Sequence, residues 1–315
     1  MDFLEASVVG VQPLCDDVKR IEITYRQALP PFDPGSHIDL KVYIEDRVET
    51  RSYSVVEHSA PDRLVIAVRL LPQSRGGSEY MHGLHVGQRL EITAPSNHFT
   101  LGLNAPEVLL LAGGIGVTPI IGMARRLREQ QIPFKFVYLG RTRMAMPFLD
   151  ALLAEFEDRL VVWADDERGV VDLPALLTPL HVTGELYMCG PVPMMEAVRK
   201  VWNEQGRPAE RLRFETFGGA GLKPAQAFRV VVPARGLDFI VPTNRSLLDA
   251  LDEAGAEPLY SCKRGECGLC AVDVIELDGE LDHRDVFFSE RQKQESRQLC
   301  ACVSRAIGSI TIELP

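Results

Sequence analysis

Three cysteines with the spacing C-x4-C-x2-C constrain this chain more than any other feature. They are Cys262, Cys267 and Cys270, and 29 and 31 residues separate Cys270 from the later pair Cys300 and Cys302. This spacing is typical of a plant-type [2Fe–2S] cluster, in which four thiolates converge on two irons. Glycines at positions 265 and 268 allow positive φ and leave backbone N–H groups free to face the sulfurs. The C-terminal part of the chain is therefore predicted to fold around an iron–sulfur cluster.

A structural zinc site is the alternative for the same thiolates. Zinc is commonly held by paired C-x2-C units, and only Cys267 and Cys270 form such a unit here. The iron–sulfur interpretation is favoured for that reason. The fourth ligand stays open, because residues i and i+2 of a strand face the same side. Spacing alone favours Cys300 over Cys302.

Composition excludes several classes of protein. The chain has 315 residues, enough for two or three domains, and its net charge of −10 gives no electrostatic support to nucleic-acid binding. Its seven cysteines are an odd number and no secretion signal precedes them, which argues against a disulfide framework. The apolar stretch 108–124 is short for a membrane span and contains glycines and a proline. We therefore expect a cytoplasmic protein with neither a nucleic-acid partner nor a membrane partner.

Changes in the pattern of apolar residues along the chain predict a multidomain protein. Residues 1–102 contain five short apolar runs, the first beginning at Val18, separated by turn signals, which predicts an antiparallel β-barrel. Residues 103–217 alternate strand and helix patterns, which predicts an α/β domain with a parallel sheet. Residues 218–227 are rich in glycine, proline and alanine and are interpreted as a linker. Residues 228–315 combine a hairpin, a short helix and a closing strand, and form the third, α+β unit.

Two glycine-containing turns follow predicted strands of the parallel sheet. LLLAGGIGVTP departs from the G-x-G-x-x-G fingerprint, since Pro119 takes the third glycine position. Thr118 is predicted to cap the helix that follows. YMCGPVPMM is a second strand-to-helix turn, and Cys189 by itself is more often a small buried core residue. Two such turns on one sheet form a crevice at the carboxyl ends of its strands, which favours a nucleotide site.

Two motifs in the barrel region suggest a ligand with a flat ring and a phosphate. In TRSYSVV, strand alternation puts Arg51 and Tyr53 on one face and Ser52 and Ser54 on the other. An ordinary strand with a surface arginine and a packed tyrosine explains this motif as well. SRGGSEYMH places a Gly-Gly turn between an arginine and a serine, which is typical of an anion-binding nest.

These motifs, taken in order and together with Asn97-His98-Phe99 and the cysteine loop, resemble the phthalate dioxygenase reductase family, including vanillate demethylase reductase-like proteins. The resemblance covers nearly the whole chain. It implies an FMN-binding β-barrel domain, an NAD-binding domain and a C-terminal plant-type ferredoxin domain of the β-grasp type. It also implies electron delivery from NADH to a Rieske-type terminal oxygenase.

The resemblance assigns residues to each cofactor. The residues implied for FMN are Arg51, Ser52, Tyr53, Ser54, Val68, Arg75, Gly76, Gly77, Ser78 and Phe217; those for NAD are Gly114, Gly116, Thr118, Cys189, Gly190 and Pro191. Those for the cluster are Cys262, Cys267, Cys270 and Cys302, with Cys300 as the alternative. Cys302 is favoured because Cys302 to Ala306 looks like the stretch that the family's fourth cysteine opens. The two extra residues would then lie in a loop around ELDGELDHRD. Plain core packing is the alternative for Phe217.

The resulting hypothesis is an electron path from NADH to FMN, to the cluster and to a partner protein, with no catalytic acid–base dyad. One rival is a reductase for a diiron monooxygenase or for an oxygenase class that uses FAD, and the other is a non-catalytic redox sensor or metal-stabilised interaction module. The acidic run Asp165 to Glu167 favours NADH over NADPH, because it would repel a 2′-phosphate. Lys263 and Arg264 are candidates for the partner surface, and we expect a monomer.

Overall fold

The structure is a computed structural model that describes residues 2–29, 31–45, 47–72, 74–217 and 224–314. The chain divides into two compact units, residues 1–215 and residues 216–315. The first unit contains a closed antiparallel sheet followed by a parallel sheet, and the second contains one mixed sheet. Most of the predicted linker, residues 218–223, lies outside the described residues.

The antiparallel sheet has the strand order β4-β5-β2-β1-β6-β3-β7, and an additional pairing of β4 with β3 closes it into a barrel. The prediction missed β1, because bulges next to Gly10 and Pro13 interrupt its alternation of apolar and polar residues. The strands are β1 (Phe3–Cys15), β2 (Val18–Tyr25), β3 (Ser36–Ile44), β4 (Arg47–Ala60), β5 (Arg63–Arg69), β6 (Arg89–Thr93) and β7 (Ser96–Asn97).

Branched aliphatic side chains fill the barrel. Ile21, Ile23, Ile38, Leu40 and Ile66 are completely buried within it. Burying one such side chain stabilises the fold by about 1.5–3 kcal/mol. These residues come from β2, β3 and β5, so the barrel interior holds its three longest sequence-predicted apolar runs together.

The parallel sheet has the strand order β10-β9-β8-β11-β12. The chain starts at β8, adds β9 and β10 on one side, and then returns to add β11 and β12 on the other. The switch point of the sheet therefore lies between β8 and β11, where open α/β sheets bind ligands. The strands are β8 (Val108–Gly113), β9 (Phe134–Gly140), β10 (Leu160–Ala164), β11 (Glu185–Cys189) and β12 (Leu212–Glu215).

Helices connect the strands of the first unit: α1 (Gly77–His82), α2 (Val117–Glu129), α3 (Leu149–Phe156), α4 (Asp165–Arg168), α5 (Leu173–Leu177) and α6 (Val192–Glu204). The predicted cap at Thr118 is wrong. Helix α2 begins at Val117 after a 3₁₀ turn, and the Thr118 hydroxyl donates to the carbonyl of Ile115 at 3.0 Å. Within the described ranges, no helix combines the length and the apolar character needed to cross a membrane.

The mixed sheet of the second unit has the strand order β14-β13-β17-β15-β16, with β13 and β17 parallel. The expected loop around ELDGELDHRD is wrong, because residues up to Asp282 continue β15 and pair with β17. A bulge beside Ile275 takes up one extra residue there. The elements are β13 (Phe228–Val232), β14 (Leu237–Val241), α7 (Leu247–Glu253), β15 (Ala271–Asp282), α8 (Glu290–Glu295), β16 (Gln298–Cys300) and β17 (Arg305–Glu313). Together the three sheets confirm the predicted fold classes.

Candidate functional site

The cysteine loop of the second unit brings the Cys302 thiol into contact with those of Cys262 and Cys270, whereas Cys267 is exposed. Hydrogen bonding from Cys302, together with the backbone amides of Arg264, Glu266 and Cys267, lowers the pKa of Cys262. The amide of Arg264 lies 3.4 Å from the Cys262 sulfur. Several N–H groups therefore point at one sulfur, which is the arrangement that stabilises a cluster thiolate. The residues present fit a thiolate-bound cluster.

The two candidates for the fourth ligand differ in the thiols that they touch. Cys302 hydrogen-bonds to both Cys262 and Cys270, and these bonds and burial raise its pKa. Cys300 hydrogen-bonds to Cys270. Cys300 ends β16 and is completely buried, whereas Cys302 lies in the turn beyond it. The turn thus directs the Cys302 sulfur towards two of the three loop cysteines.

Two glycines allow the loop to fold this tightly. Gly265 has a φ of +77°, and a Cβ there would lie 2.6 Å from Val303 Cγ2 and 2.9 Å from Asp285 Cα. Gly268 has a φ of +73° and lies against the ring of Phe287. Each position therefore combines a left-handed backbone with a close approach that a side chain would block.

Polar groups that the sequence reasoning missed support the loop. The Glu266 carboxylate accepts hydrogen bonds from the amide and the hydroxyl of Thr216, the latter at 2.8 Å, and burial raises its pKa. Asp285 is completely buried and accepts from the Ser304 hydroxyl at 2.9 Å and the Phe288 amide at 3.0 Å. Burial opposes ionisation of Asp285, but hydrogen bonds from His283, Phe288 and Ser304 lower its pKa.

The proposed partner surface around the loop is smaller than the sequence suggested. Lys263 is exposed, and its ammonium lies 4.4 Å from the ring centroid of Tyr260. The Arg264 side chain has only 11% of its surface exposed, and its Nε lies 3.9 Å from the Glu266 carboxylate. Of the two candidates, Lys263 is therefore the one available to a partner.

In the first unit, the two barrel motifs meet. A Cβ on Gly77 would lie 2.8 Å from Arg51 Nε, so the Arg51 side chain on β4 covers the first residue of α1. Arg51 also donates to Glu49 at 2.5 Å and to the carbonyl of Thr50 at 3.0 Å. Gly76, with a φ of +91°, is packed against Ile44. The guanidinium and the Gly-Gly turn thus form one potential anion site.

Internal hydrogen bonds shape the turn before α1. The Ser74 hydroxyl accepts from the Gly76 amide at 3.0 Å and from the Ser78 hydroxyl at 2.9 Å. The Ser78 hydroxyl accepts in turn from the amide of Leu71 at 3.1 Å. The serines at both ends of SRGGS therefore hold the turn closed on itself, and Gly77 in this turn lies beside Arg51.

Residues 51–54 alternate along β4 as predicted. Arg51 and Tyr53 are half-buried on one face, whereas Ser52 is exposed and donates to Asp39 at 2.5 Å. Ser54 is buried because Glu215, at the end of β12, covers it and accepts from its hydroxyl at 3.2 Å. Burial raises the pKa of Tyr53, so its phenol is neutral at ordinary pH. Glu215 is therefore a residue through which the parallel sheet contacts the strand predicted to hold the flavin.

Two more residues, Val68 and Phe217, are predicted to contact the flavin. Val68 on β5 packs its side chain into the barrel core, and its carbonyl oxygen lies 2.9 Å from His82 Nε2. Phe217 is the second residue of the second unit and is 43% exposed. Contacts of these two side chains with a flavin stay predictions.

The two glycine turns of the parallel sheet touch each other at its switch point. A Cβ on Gly116 would lie 2.7 Å from the Gly190 amide nitrogen and would collide with the Cys189 carbonyl. A Cβ on Gly113 would lie 2.8 Å from Pro191 Cδ. Gly114, by contrast, has a φ of +54° and open space around its Cβ position. The glycines thus serve close packing of two turns, and Gly114 leaves room for a ligand.

Known protein families match the parts of the chain that contain the barrel and the cysteine loop. Residues 5–101 match the family described as "Oxidoreductase FAD-binding domain", and residues 232–306 match "2Fe-2S iron-sulfur cluster binding domain". The chain is 36% identical over 292 residues to the phenoxybenzoate dioxygenase subunit beta of Ectopseudomonas oleovorans, covering 92% of this chain and 88% of the relative. It is 32% identical over 314 residues to the phthalate dioxygenase reductase of Burkholderia cepacia, covering 96% and 95%.

The chain is also similar to a solved structure of phthalate dioxygenase reductase, with a TM-score of 0.78 and 30% identity over 99% of this chain and 98% of that one. That structure is described as modular and as transferring electrons from pyridine nucleotides to [2Fe–2S]. The chain is therefore an oxidoreductase that binds a flavin and a [2Fe–2S] cluster, as predicted. The zinc alternative and the non-catalytic alternative are thereby excluded.

Proposed function

Because the chain belongs to the phthalate dioxygenase reductase family, we propose that it is the NADH-dependent reductase component of a Rieske-type oxygenase system. Electrons would pass from NADH to FMN, then to the [2Fe–2S] cluster and on to the terminal oxygenase. The observation that carries the proposal is the presence, in one chain, of three features: an arginine beside a Gly-Gly turn at the barrel edge, two glycine turns that touch at the sheet edge, and a cysteine loop in which Cys302 contacts Cys262 and Cys270.

A flavin, when bound, supplies the conversion between the two electrons of a hydride and the single electron that a cluster accepts. The protein's own residues bind and orient. Tyr53 would pack against the flavin ring, and Arg51, Arg75 and Ser78, with the Gly76-Gly77 amides, would hold its phosphate. Gly114 would let the dinucleotide approach the backbone, with Cys189 beside the nicotinamide. No proton-transferring dyad is required.

We propose FMN as the flavin and Cys302 as the fourth cluster ligand. The arginine and the Gly-Gly turn suit a terminal phosphate, which FMN has and FAD lacks. Cys302 is supported by its contacts with both Cys262 and Cys270. Acid release of the flavin followed by chromatography distinguishes the two flavins, and a yield of FAD would contradict the assignment.

The test of function is anaerobic reduction of the loaded protein. Added NADH should bleach the flavin absorbance and then the iron–sulfur bands, and reoxidation should follow addition of a Rieske oxygenase. A diiron monooxygenase component serves as the comparison partner. Faster reoxidation by the diiron component would favour the rival reductase class. We also propose that the protein is a monomer, and light scattering of the same preparation would measure its molar mass.

A further inference from the structure

The strands of the parallel sheet end level along one edge. Strand register pairs Ala112 of β8 with Cys189 of β11, Gly113 with Leu139 of β9, and Gly140 with Ala164 of β10. On the proposed function, the dinucleotide's pyrophosphate lies over the glycine turn after β8 and its nicotinamide lies towards β11. Its adenosine half must then extend to the other side of β8, where β9 and β10 continue the sheet. Each of these strands adds about 4.8 Å in that direction.

An arginine and a glutamate meet where the adenosine ribose would lie. Arg143 follows β9 in a short 3₁₀ turn, and Glu167 lies in α4 directly after β10. Arg143 Nε donates to both carboxylate oxygens of Glu167, at 2.8 and 3.1 Å. The loops are also joined by a backbone bond, since the Asp166 amide donates to the Arg141 carbonyl at 3.1 Å. The two side chains are 45% and 44% exposed, so an arriving ligand can reach them.

We infer that the Arg143–Glu167 pair determines which pyridine nucleotide this protein accepts. Guanidinium groups bind phosphates well, so Arg143 without a partner would attract the 2′-phosphate of NADPH. Glu167 occupies that guanidinium and adds a negative charge beside it. A 2′-phosphate must displace the carboxylate and meet its repulsion, whereas the 2′-hydroxyl of NADH meets neither obstacle. The inference rests on the proposed nucleotide site.

Neighbouring charges define the alternative explanation. Asp165 and Asp166 are exposed on the same short helix, so the acidic run as a whole could repel phosphate without involving Arg143. Arg168 is engaged elsewhere, since its guanidinium lies 4.7 Å from the Trp163 ring centroid. A specific role of the Arg143–Glu167 pair has a different consequence. Neutralising Glu167 should change the affinity for a 2′-phosphate, whereas neutralising the neighbouring Asp166 should not.

The experiment is calorimetric titration of the flavin- and cluster-loaded protein with 2′,5′-ADP and with 5′-ADP. Glu167→Gln should bind 2′,5′-ADP about tenfold more tightly than wild type, which corresponds to freeing one charge-assisted contact. The matched control Asp166→Asn should bind it within about twofold of wild type. The double variant Glu167→Gln/Arg143→Ala should lose the gain, and kcat/KM for NADPH relative to NADH should follow the same order.

Other outcomes overturn the inference. Unchanged 2′,5′-ADP affinity in Glu167→Gln, with normal 5′-ADP binding, refutes the pair as the determinant. An equal gain in Asp166→Asn refutes it in favour of general repulsion by the acidic helix. A gain that survives Arg143→Ala shows that the guanidinium is not the phosphate's partner. Failure of wild type to bind 5′-ADP or NADH would instead refute the proposed nucleotide site, and the inference with it.

Discussion

Gly268 in the cluster loop offers a test in which two costs of adding one methyl group can be separated. Its φ is +73°, and a Cβ there would lie 2.5 Å from Cε1 of Phe287 and closer still to Cζ. Gly255, just after α7, has a similar φ of +76°, but no heavy atom lies within 4 Å of its Cβ position. Gly255→Ala is therefore a matched control that strains the backbone without a collision.

The expected magnitudes follow from these two environments. The left-handed backbone costs an alanine about 1–2 kcal/mol, so Gly255→Ala should lower the free energy of unfolding of the second unit by that amount. Overpacking adds about 1–3 kcal/mol, so Gly268→Ala should cost about 2–5 kcal/mol. Because Phe287 is 43% exposed, its ring can turn outward, which places the added cost in the lower half of its range.

The assay is urea titration of the loaded protein, followed by the visible circular dichroism of the cluster, which reports the second unit. With an m-value of about 2 kcal/mol per molar, the added cost of about 1–2 kcal/mol lowers the midpoint of Gly268→Ala by about 0.5–1 M relative to Gly255→Ala. Phe287→Ala removes the ring, so the double variant Gly268→Ala/Phe287→Ala should recover this difference in a double-mutant cycle. Equal midpoints for the two glycine variants, or strictly additive effects in the cycle, would refute the collision argument.

Further predictions concern the cluster, its support and the flavin. Cys302→Ser should lose the iron–sulfur absorbance and bound iron while Cys300→Ser keeps them, and the reverse pattern would identify Cys300 as the ligand. Because the folded-state pKa of Asp285 is lowered, its contribution to stability is present above the ordinary aspartate pKa and is lost as pH falls through the lowered value. Asp285→Asn should therefore lose about 1–3 kcal/mol at pH 7 and flatten the acid side of the stability curve, measured by urea titration across pH. Arg75→Gln should weaken FMN binding about tenfold in a fluorescence titration but leave riboflavin binding unchanged, and equal losses for both would argue against a phosphate contact.

Local pattern was enough to predict most elements of the parallel sheet and of the second unit. The β8 and β9 segments are continuous apolar runs, because both faces of a parallel strand are covered. Pattern failed where the backbone departs from regular geometry. Strand β1 is interrupted by bulges, and the segment up to Asp282 contains Gly279, whose φ of +124° marks a close approach to Ile307. There the turn-like composition reflects strand packing and not a loop.

The functional sites were also predicted only in part from local sequence patterns. Cysteine spacing and the glycine turns predicted a cluster loop and a nucleotide edge, because a metal cluster and a strand-to-helix turn each require certain residue types at short, regular separations. Nothing local indicated that Asp285 and Glu266 support the loop. Both are ordinary carboxylates in the sequence, and only their burial and partners reveal the role.

The sequence by itself predicted the three kinds of sheet in their observed order and the kinds of cofactor that the protein binds. Tertiary structure decided which of the site residues meet. Arg51 covers Gly77, the glycine turns after β8 and β11 touch, and Cys302 reaches two loop thiols. Such contacts depend on strand order and register, which place residues far apart in the chain side by side. Local periodicity carries no information about them, because it records which face a residue occupies and not which residue lies opposite.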